Sequence, residues 1–338
     1  MAFLETIPRG HPTRSVRALA VVLLVAALAA QPTSAQGLGP RALWKAPADT
    51  RAMGTYLMFF QGNASGFNLD VPVGDAAAFD ARAFLWNYTH FFNLFGRTNQ
   101  ASLSLLGGSL AGTTTGANPV SIDVARRGFA DPVLFWDINL IGAPAMTLQE
   151  YAAWTPGTLV NLHLYMTAPL GSHDPDRVLN IGTDRWMFRV GPSLLQFFGE
   201  NAPGRRTSLE LIPTVSFFTG AESNVPFFAE SKQDPLFKLE GHLTRDLAKG
   251  LWISADFGLT AGGATTVNGV DQDNSQTSAG LGLTVGYQIT DAFELHASAS
   301  QTLNDPEDGL SGNLIRFKFT YGWNPTGERM AAQAAAAR

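Results

Sequence analysis

The chain has 338 residues, of which 45% are hydrophobic and 15% charged, with a formal net charge of −5 and no cysteine. The missing thiols exclude disulfides, dithiol redox chemistry and thiolate metal sites. The acidic balance argues against nucleic acid, which selects basic surfaces.

Average soluble chains carry about 25% charged residues. The shortfall here, beside 34 Gly, 23 Phe and 7 Trp, fits a membrane β-barrel, where apolar and polar residues alternate along each strand. In chain order the first segment is not part of a fold. Arg9, Arg14 and Arg17 precede the apolar run 18–30, which ends in Gln31-Pro32-Thr33-Ser34-Ala35. A basic flank, a short apolar run and small residues before a cut make a secretory signal peptide. The run falls short of the roughly 20 apolar residues that a spanning helix needs. Cleavage is expected after Ala35; it removes three arginines and one glutamate, taking the formal charge from −5 to −7. Residues 36–52 are expected as a periplasmic N-terminal segment, 53–323 as the barrel and 324–338 as a flexible periplasmic tail.

Period-2 alternation marks the strands. It is plain in 160–167, 237–243, 251–260, 281–288 and 293–300, and weaker in 53–60, 81–92, 100–108, 129–141, 184–197 and 207–218. It is clearest over Leu314–Trp323, where Ile315, Phe317, Phe319, Tyr321 and Trp323 share one face and Arg316, Lys318, Thr320 and Gly322 the other. A one-residue slip would put Arg316 and Lys318 into lipid, at roughly 2–4 kcal/mol each near the midplane. An aromatic-terminated last strand also looks like the signal read by the barrel-assembly machinery. About twelve strands result, each near the roughly 9–11 residues that cross a bilayer at a tilt.

The connections alternate long and short, with tight turns at 248–250 and 290–292 and polar loops at 263–278 and 301–312. That is the asymmetry of short periplasmic turns and long extracellular loops. The connection 142–156 is long where a turn is expected, and a short helix would fit there. The fold class is therefore all-β: a transmembrane antiparallel up-and-down barrel of about twelve strands in the bacterial outer membrane.

If the apolar faces meet lipid, the polar faces line the lumen. The lumen-lining set is Asp137, Asn161, His163, Tyr165, Arg189, Glu210, Lys238, Glu240, His242, Asp256, Glu294, His296, Arg316 and Lys318, with Asn139, Ser208 and Ser254 among them. Acids and bases are nearly balanced, unlike the one-sign lining of a strongly ion-selective pore. Salt bridges packing a narrow barrel are the plain structural role for many of these residues.

No constellation points to catalysis. There is no Gly-x-Ser-x-Gly elbow, and His296 and Ser298 share a face turned from lipid. Glu240 and His242 are neighbours on one face, the single pair to check for a metal; no metal or other cofactor is expected. The loop aromatics Phe67, Phe79, Phe227 and Phe228 are candidates to line a mouth for apolar compounds, and equally to form a girdle or a plug.

Two stretches carry a resemblance. Gly128-Phe129-Ala130-Asp131-Pro132 opens a strand. Then follow Ala168-Pro169-Leu170-Gly171-Ser172 and a run from Asp174 through Asn180-Ile181-Gly182-Thr183 to Asp184-Arg185-Trp186. The arrangement resembles the outer-membrane family named for the meta-pathway of phenol degradation, over most of residues 50–323. The resemblance implies a barrel linked to uptake of aromatic or other small hydrophobic compounds, and brings no catalytic residues. Asp131-Pro132 is expected to stop strand pairing. Asn180, Asp184 and Arg185, beside Trp186, are expected to fix the loop 170–183 to the barrel rim.

The expected function is a passive outer-membrane channel for small aromatic or hydrophobic solutes. The alternative is a non-conducting barrel whose outer loops bind a partner or anchor the envelope. Expected partners are outer-membrane lipid, the assembly machinery and the solutes.

Overall fold

The computed structural model describes residues 37–63, 77–115, 121–177, 180–200, 202, 204–222, 230–303 and 311–336. The signal-peptide reading and Phe67, Phe227 and Phe228 lie outside the described residues. The elements in chain order are β1 (Arg51–Gly62), β2 (Ala77–Leu94), β3 (Arg97–Thr115), β4 (Ser121–Phe129), β5 (Val133–Ile141), helix α1 (Leu148–Ala153), β6 (Thr158–Thr167), β7 (Met187–Phe198) and β8 (Thr207–Phe218). There follow β9 (Ala221–Glu222), β10 (Glu230–Gln233), β11 (Leu236–Ala248), β12 (Leu251–Gly262), β13 (Thr265–Val267), β14 (Val270–Asp271), β15 (Gln276–Gln288), β16 (Phe293–Thr302), β17 (Gly312–Trp323) and helix α2 (Pro325–Ala336).

Thirteen of the strands form one antiparallel sheet, and β17 returns to pair with β1 from Arg51↔Trp323 to Gly62↔Gly312. Because β4 and β5 are two pieces of one wall strand, the wall is a closed barrel of 12 strands. Closure leaves no sheet edge to template aggregation. Both sheet termini, Arg51 and Trp323, lie at one end, with the tight turns; we call this the terminus end and the opposite one the loop end. The β2–β3 turn is tighter than the expected connection 93–99. Phe95 and Gly96 both have positive φ, 53° and 75°, as a two-residue hairpin turn that follows the strand twist requires.

Three sequence expectations are corrected. The strand expected over 129–141 is longer and broken: β4 pairs with the loop half of β3 and β5 with its terminus half, leaving Ala130-Asp131-Pro132 between them. Pro132 has no amide to give to a ladder, which accounts for the break. The expected polar loop 263–278 carries β13 and β14, which join β9 and β10 in a second, four-stranded sheet. The tail expected to be flexible begins as α2, with Asn324 as its cap: Asn324 Oδ1 accepts from the Gly327 amide at 2.9 Å. Asn is a favoured cap and Pro a favoured first helical residue.

The connection 142–156 holds α1, as its length suggested. Thr147 and Glu150 form a reciprocal capping box, and the Thr147 amide, donating to Glu150 at 2.8 Å, holds that carboxyl below the ordinary carboxylate range.

Candidate functional site

The interior is built around the N-terminal segment. Residues 36–52 were expected outside the barrel on the periplasmic side; from Gly37 onward they instead run inside it, and β1 starts only after they reach the terminus end. The reason is charge and amide pairing across the lumen. The Leu38 amide donates to Glu240 at 3.0 Å and Arg316 donates to the Gly37 carbonyl at 3.3 Å. The Arg41 amide donates to Glu210 at 2.9 Å, while its guanidinium pairs with Asp246 and lies 4.1 Å from the Trp44 ring and 4.4 Å from the Trp252 ring.

Further along, Gln100 donates to the Ala42 carbonyl at 3.3 Å, and Leu43 is fully buried among Phe135, Ala143, Leu159, Leu195 and Ile212. Trp44 packs on Phe197 with ring centroids 5.1 Å apart. Lys45 pairs with Asp137, both side chains having no exposure. The Tyr151 hydroxyl donates to the Lys45 carbonyl at 2.7 Å, and Asn324 donates to the Ala48 carbonyl at 3.0 Å. Backbone conformation requires glycine at Gly39, and at Gly37 a side chain would displace the Glu240 carboxylate. A Cβ on Gly37 would lie 1.5 Å from the Glu240 carboxylate, and Gly39 combines φ +78° with a Cβ position 2.2 Å from Arg316, a conformation open to glycine at no steric cost.

The expected lumen residues fall into groups. Asp137, Glu210, Glu240 and Arg316 hold the N-terminal segment. His163, fully buried, stacks on Phe135 at 5.6 Å and lies 3.8 Å from Asp137. Asn161 accepts from Asn139 at 2.7 Å and donates to Ser193 at 3.1 Å. Arg189 donates to Ser216 at 3.0 Å, with its guanidinium 5.3 Å from the Tyr165 ring.

A second network links β11, β12, β15 and β16. Asp256 meets His242 at 2.8 Å and accepts from Ser254 and Thr284, each at 2.6 Å. Glu294 accepts from Trp252 at 2.9 Å and lies 3.0 Å from His296. Lys318 sits 5.5 Å from the Tyr56 ring, and Lys238 is buried. Glu240 and His242 approach only to 3.9 Å. Among the described residues no three His, Cys, Asp or Glu side chains converge on a point. Among the described residues His296 and Ser298 do not bond to each other, and the Ser298 hydroxyl lies 3.0 Å from that of Thr284.

The loop half of the interior has a different character. Phe60, Phe79, Ala81, Ala83, Leu110, Ala130, Ile181 and Leu314 form a buried apolar cluster, with Met58 and Leu106 against it. Phe60, Ala81, Leu110 and Leu314 are register partners on neighbouring strands, on the face opposite the exposed Leu57, Phe59 and Phe84. The rule that apolar faces meet lipid therefore fails on β1–β3. Apolar residues stand there on both faces, so alternation carries no sidedness. Phe79 belongs to this cluster rather than to a loop.

Asp131 anchors the strap 168–186, and the sequence reading had given it only the role of stopping pairing. Its carboxylate accepts from the Gly171 amide at 2.8 Å and from the amide and hydroxyl of Thr183, each at 2.7 Å. Asn180 ties the strap to itself, meeting Asp174 at 2.9 and 3.0 Å, instead of fixing it to the rim. Among the described residues Asp184 approaches His173, at 3.9 Å. Arg185 bonds Gln233 and lies 4.5 Å from the Phe218 ring. The Trp186 amide donates to Thr219 at 3.0 Å, and its ring stacks on Phe188.

Hydrogen bonds to a charged acceptor contribute about 1.5–3 kcal/mol each. Asp131→Ala is therefore expected to free the strap, read as at least tenfold faster hydrogen exchange at the Gly171 and Thr183 amides, with about 1.4 kcal/mol per tenfold. Unchanged exchange would show that Asp131 is not the anchor.

The comparisons with known proteins agree with this architecture. An outer membrane channel of the COG4313 group from Pseudomonas putida F1 superposes with a TM-score of 0.69 at 15% identity, over 85% of this chain and 100% of that one. The translocator domain of the autotransporter NalP from Neisseria meningitidis is more distant, with a TM-score of 0.45 at 12% identity over 82% of this chain and 90% of that one. No curated protein sequence matches the chain. The family model described as "Putative MetA-pathway of phenol degradation" matches residues 61–319, which is most of the barrel, and the chain belongs to that family of outer-membrane-type barrels.

Proposed function

We propose that the protein is an outer-membrane channel for passive uptake of small aromatic or hydrophobic solutes. In this reading it is exported by a signal peptide cleaved after Ala35, assembled through its aromatic last strand, and inserted with the loop end outward. The observation that carries the reading is the division of the interior: an apolar cluster of Phe60, Phe79, Leu110 and Leu314 in the loop half, above a charged half filled by residues 37–48. Pockets for small ligands are mainly apolar with a few placed polar groups. A 12-stranded barrel is narrower than the 16–18-stranded porins that hold an open aqueous channel, which favours compact solutes over bulky hydrated ones.

The test is flux into liposomes carrying the purified mature protein. A phenol-sized aromatic is expected to enter faster than through protein-free vesicles, and a disaccharide is not. Equal rates for the aromatic with and without protein would refute the reading. The four-stranded sheet joining two long loops favours a second reading, in which that platform binds a partner at the surface. Removing residues 219–234 and 263–276 separates the two: flux should rise if they cover a pore, and surface adhesion should fall if they bind.

A further inference from the structure

The outward wall carries a charged feature that conduction does not use. On the loop half of the barrel, Arg82 of β2 and Arg127 of β4 are exposed, and they are the cations on that outward face among the described residues. The registers Ile315↔Phe59, Phe59↔Arg82, Arg82↔Ser109 and Ser109↔Arg127 put both arginines in one row, two strands apart. At about 4.8 Å per strand their backbones are about 10 Å apart.

The height of this row follows from the register. A row begun at Arg51, the terminus end of β1, runs through His90, Ala101, Trp136, Leu164, Val190, Val215 and Phe237 to Ala261, beside the loop end of β12. Rows thus climb toward the loop end, by about 3 Å per strand at a tilt of about 40°. Arg82 then stands level with Asn313, and Arg127 about 6 Å higher. Asn313 and its partner Gln301 are where the outward faces of β17 and β16 turn from apolar to polar. The two guanidinium groups therefore sit at the edge of the apolar belt.

Between them the wall is shallow. Ser109 and Ala111 of β3 floor a groove flanked by Arg82 and Arg127, and at Gly107 the Phe129 ring leans over the floor beside Phe84. Phe59, Phe84 and Phe129 are 44%, 48% and 70% exposed. Asp80, next along β2 on the same face, accepts from Gln61 at 2.6 Å. Apolar rings below and two guanidinium groups above, with no ion-pair partner among the described residues, suit an amphiphile with acyl chains and an anionic head. Arginine is the side chain that matches phosphate in a bidentate fork.

We propose that this groove binds a phosphorylated glycolipid of the outer leaflet, lipid A, with Arg82 and Arg127 on its phosphates and its acyl chains along Phe84 and Phe129. The assignment rests on the loop end facing outward, as in the function proposed above, but not on conduction.

The test compares binding of bisphosphorylated lipid A with that of fully dephosphorylated lipid A to the full mature protein in detergent, by native mass spectrometry. Cationic side chains at a membrane surface contribute about 1 kcal/mol each. The Arg82→Gln/Arg127→Gln double variant is therefore expected to bind the bisphosphorylated lipid at least tenfold more weakly, with about 1.4 kcal/mol per tenfold. Lys249→Gln, a change to an exposed cation at the terminus end, should leave binding at the wild-type level. Equal binding of both lipids to the wild type, or an equal loss in Lys249→Gln, would overturn the proposal. Should the double variant fail to fold, the comparison of the two lipids on the wild type still decides. Conductance of the variant is expected to equal that of the wild type, so the lipid site and the channel can fail separately.

Discussion

Lys45→Met is expected to destabilise the folded barrel by about 3–5 kcal/mol, the usual effect of leaving a buried charge without its partner. Lys45 and Asp137 are both without exposure. Once Lys45 is removed, the Asp137 carboxylate keeps the buried His163 ring at 3.8 Å but no cation beside it among the described residues. The chain has two ways to relieve that state: it can unfold more readily, or it can release residues 37–48 and admit water to Asp137. Denaturant unfolding in lipid vesicles measures the first, and hydrogen exchange at Leu38 and Arg41 the second. Replacing both members with apolar residues, as in Lys45→Met/Asp137→Leu, is expected to restore most of the loss, because a buried pair contributes little over well-packed hydrophobic residues. A double variant no better than Lys45→Met would show that the pair is not the origin of the effect.

Deleting residues 36–47 is expected to raise single-channel conductance several-fold, since these residues fill the terminus half of the lumen from Glu240 to Phe197. Arg41→Glu is the point-substitution version. It sets a carboxylate beside Asp246 and Glu210, the groups that now hold the guanidinium and the Arg41 amide. Like charges in so enclosed a place repel strongly, so the segment should leave. Planar-bilayer recordings of both proteins check this. Conductance that stays at the wild-type level in both would mean that the segment does not control the opening. Selectivity offers a second readout, because release exposes Asp137, Glu210, Glu240 and Asp246 and should turn the pore toward cations.

The division of labour between sequence and fold can be traced through particular residues. The Arg316/Lys318 alternation on β17 settles which face is polar. The cost of a slip into lipid is local to one strand, so any reader of the sequence can see it. The long–short rhythm of connections gives the strand count for the same reason. On β1–β3 that logic has no purchase: Phe59 and Phe60, or Phe79 and Phe84, present apolar side chains to both faces, and only closure of the wall decides which are enclosed.

The sequence by itself determined the barrel and its strands, because a period of two is written into neighbouring residues. It did not reveal what the polar residues hold. Arg41 finds Glu210 and Asp246 at separations of 169 and 205 residues, and Leu38 finds Glu240 at 202. A run such as Arg41-Ala42-Leu43-Trp44-Lys45 carries a hint, being both basic and aromatic, but its partners are scattered over strands from β3 to β12. Contacts of that range arise only when the sheet closes and brings opposite walls within reach of a segment lying between them. The same holds for Arg82 and Arg127, which become one row because the register of β2, β3 and β4 aligns them.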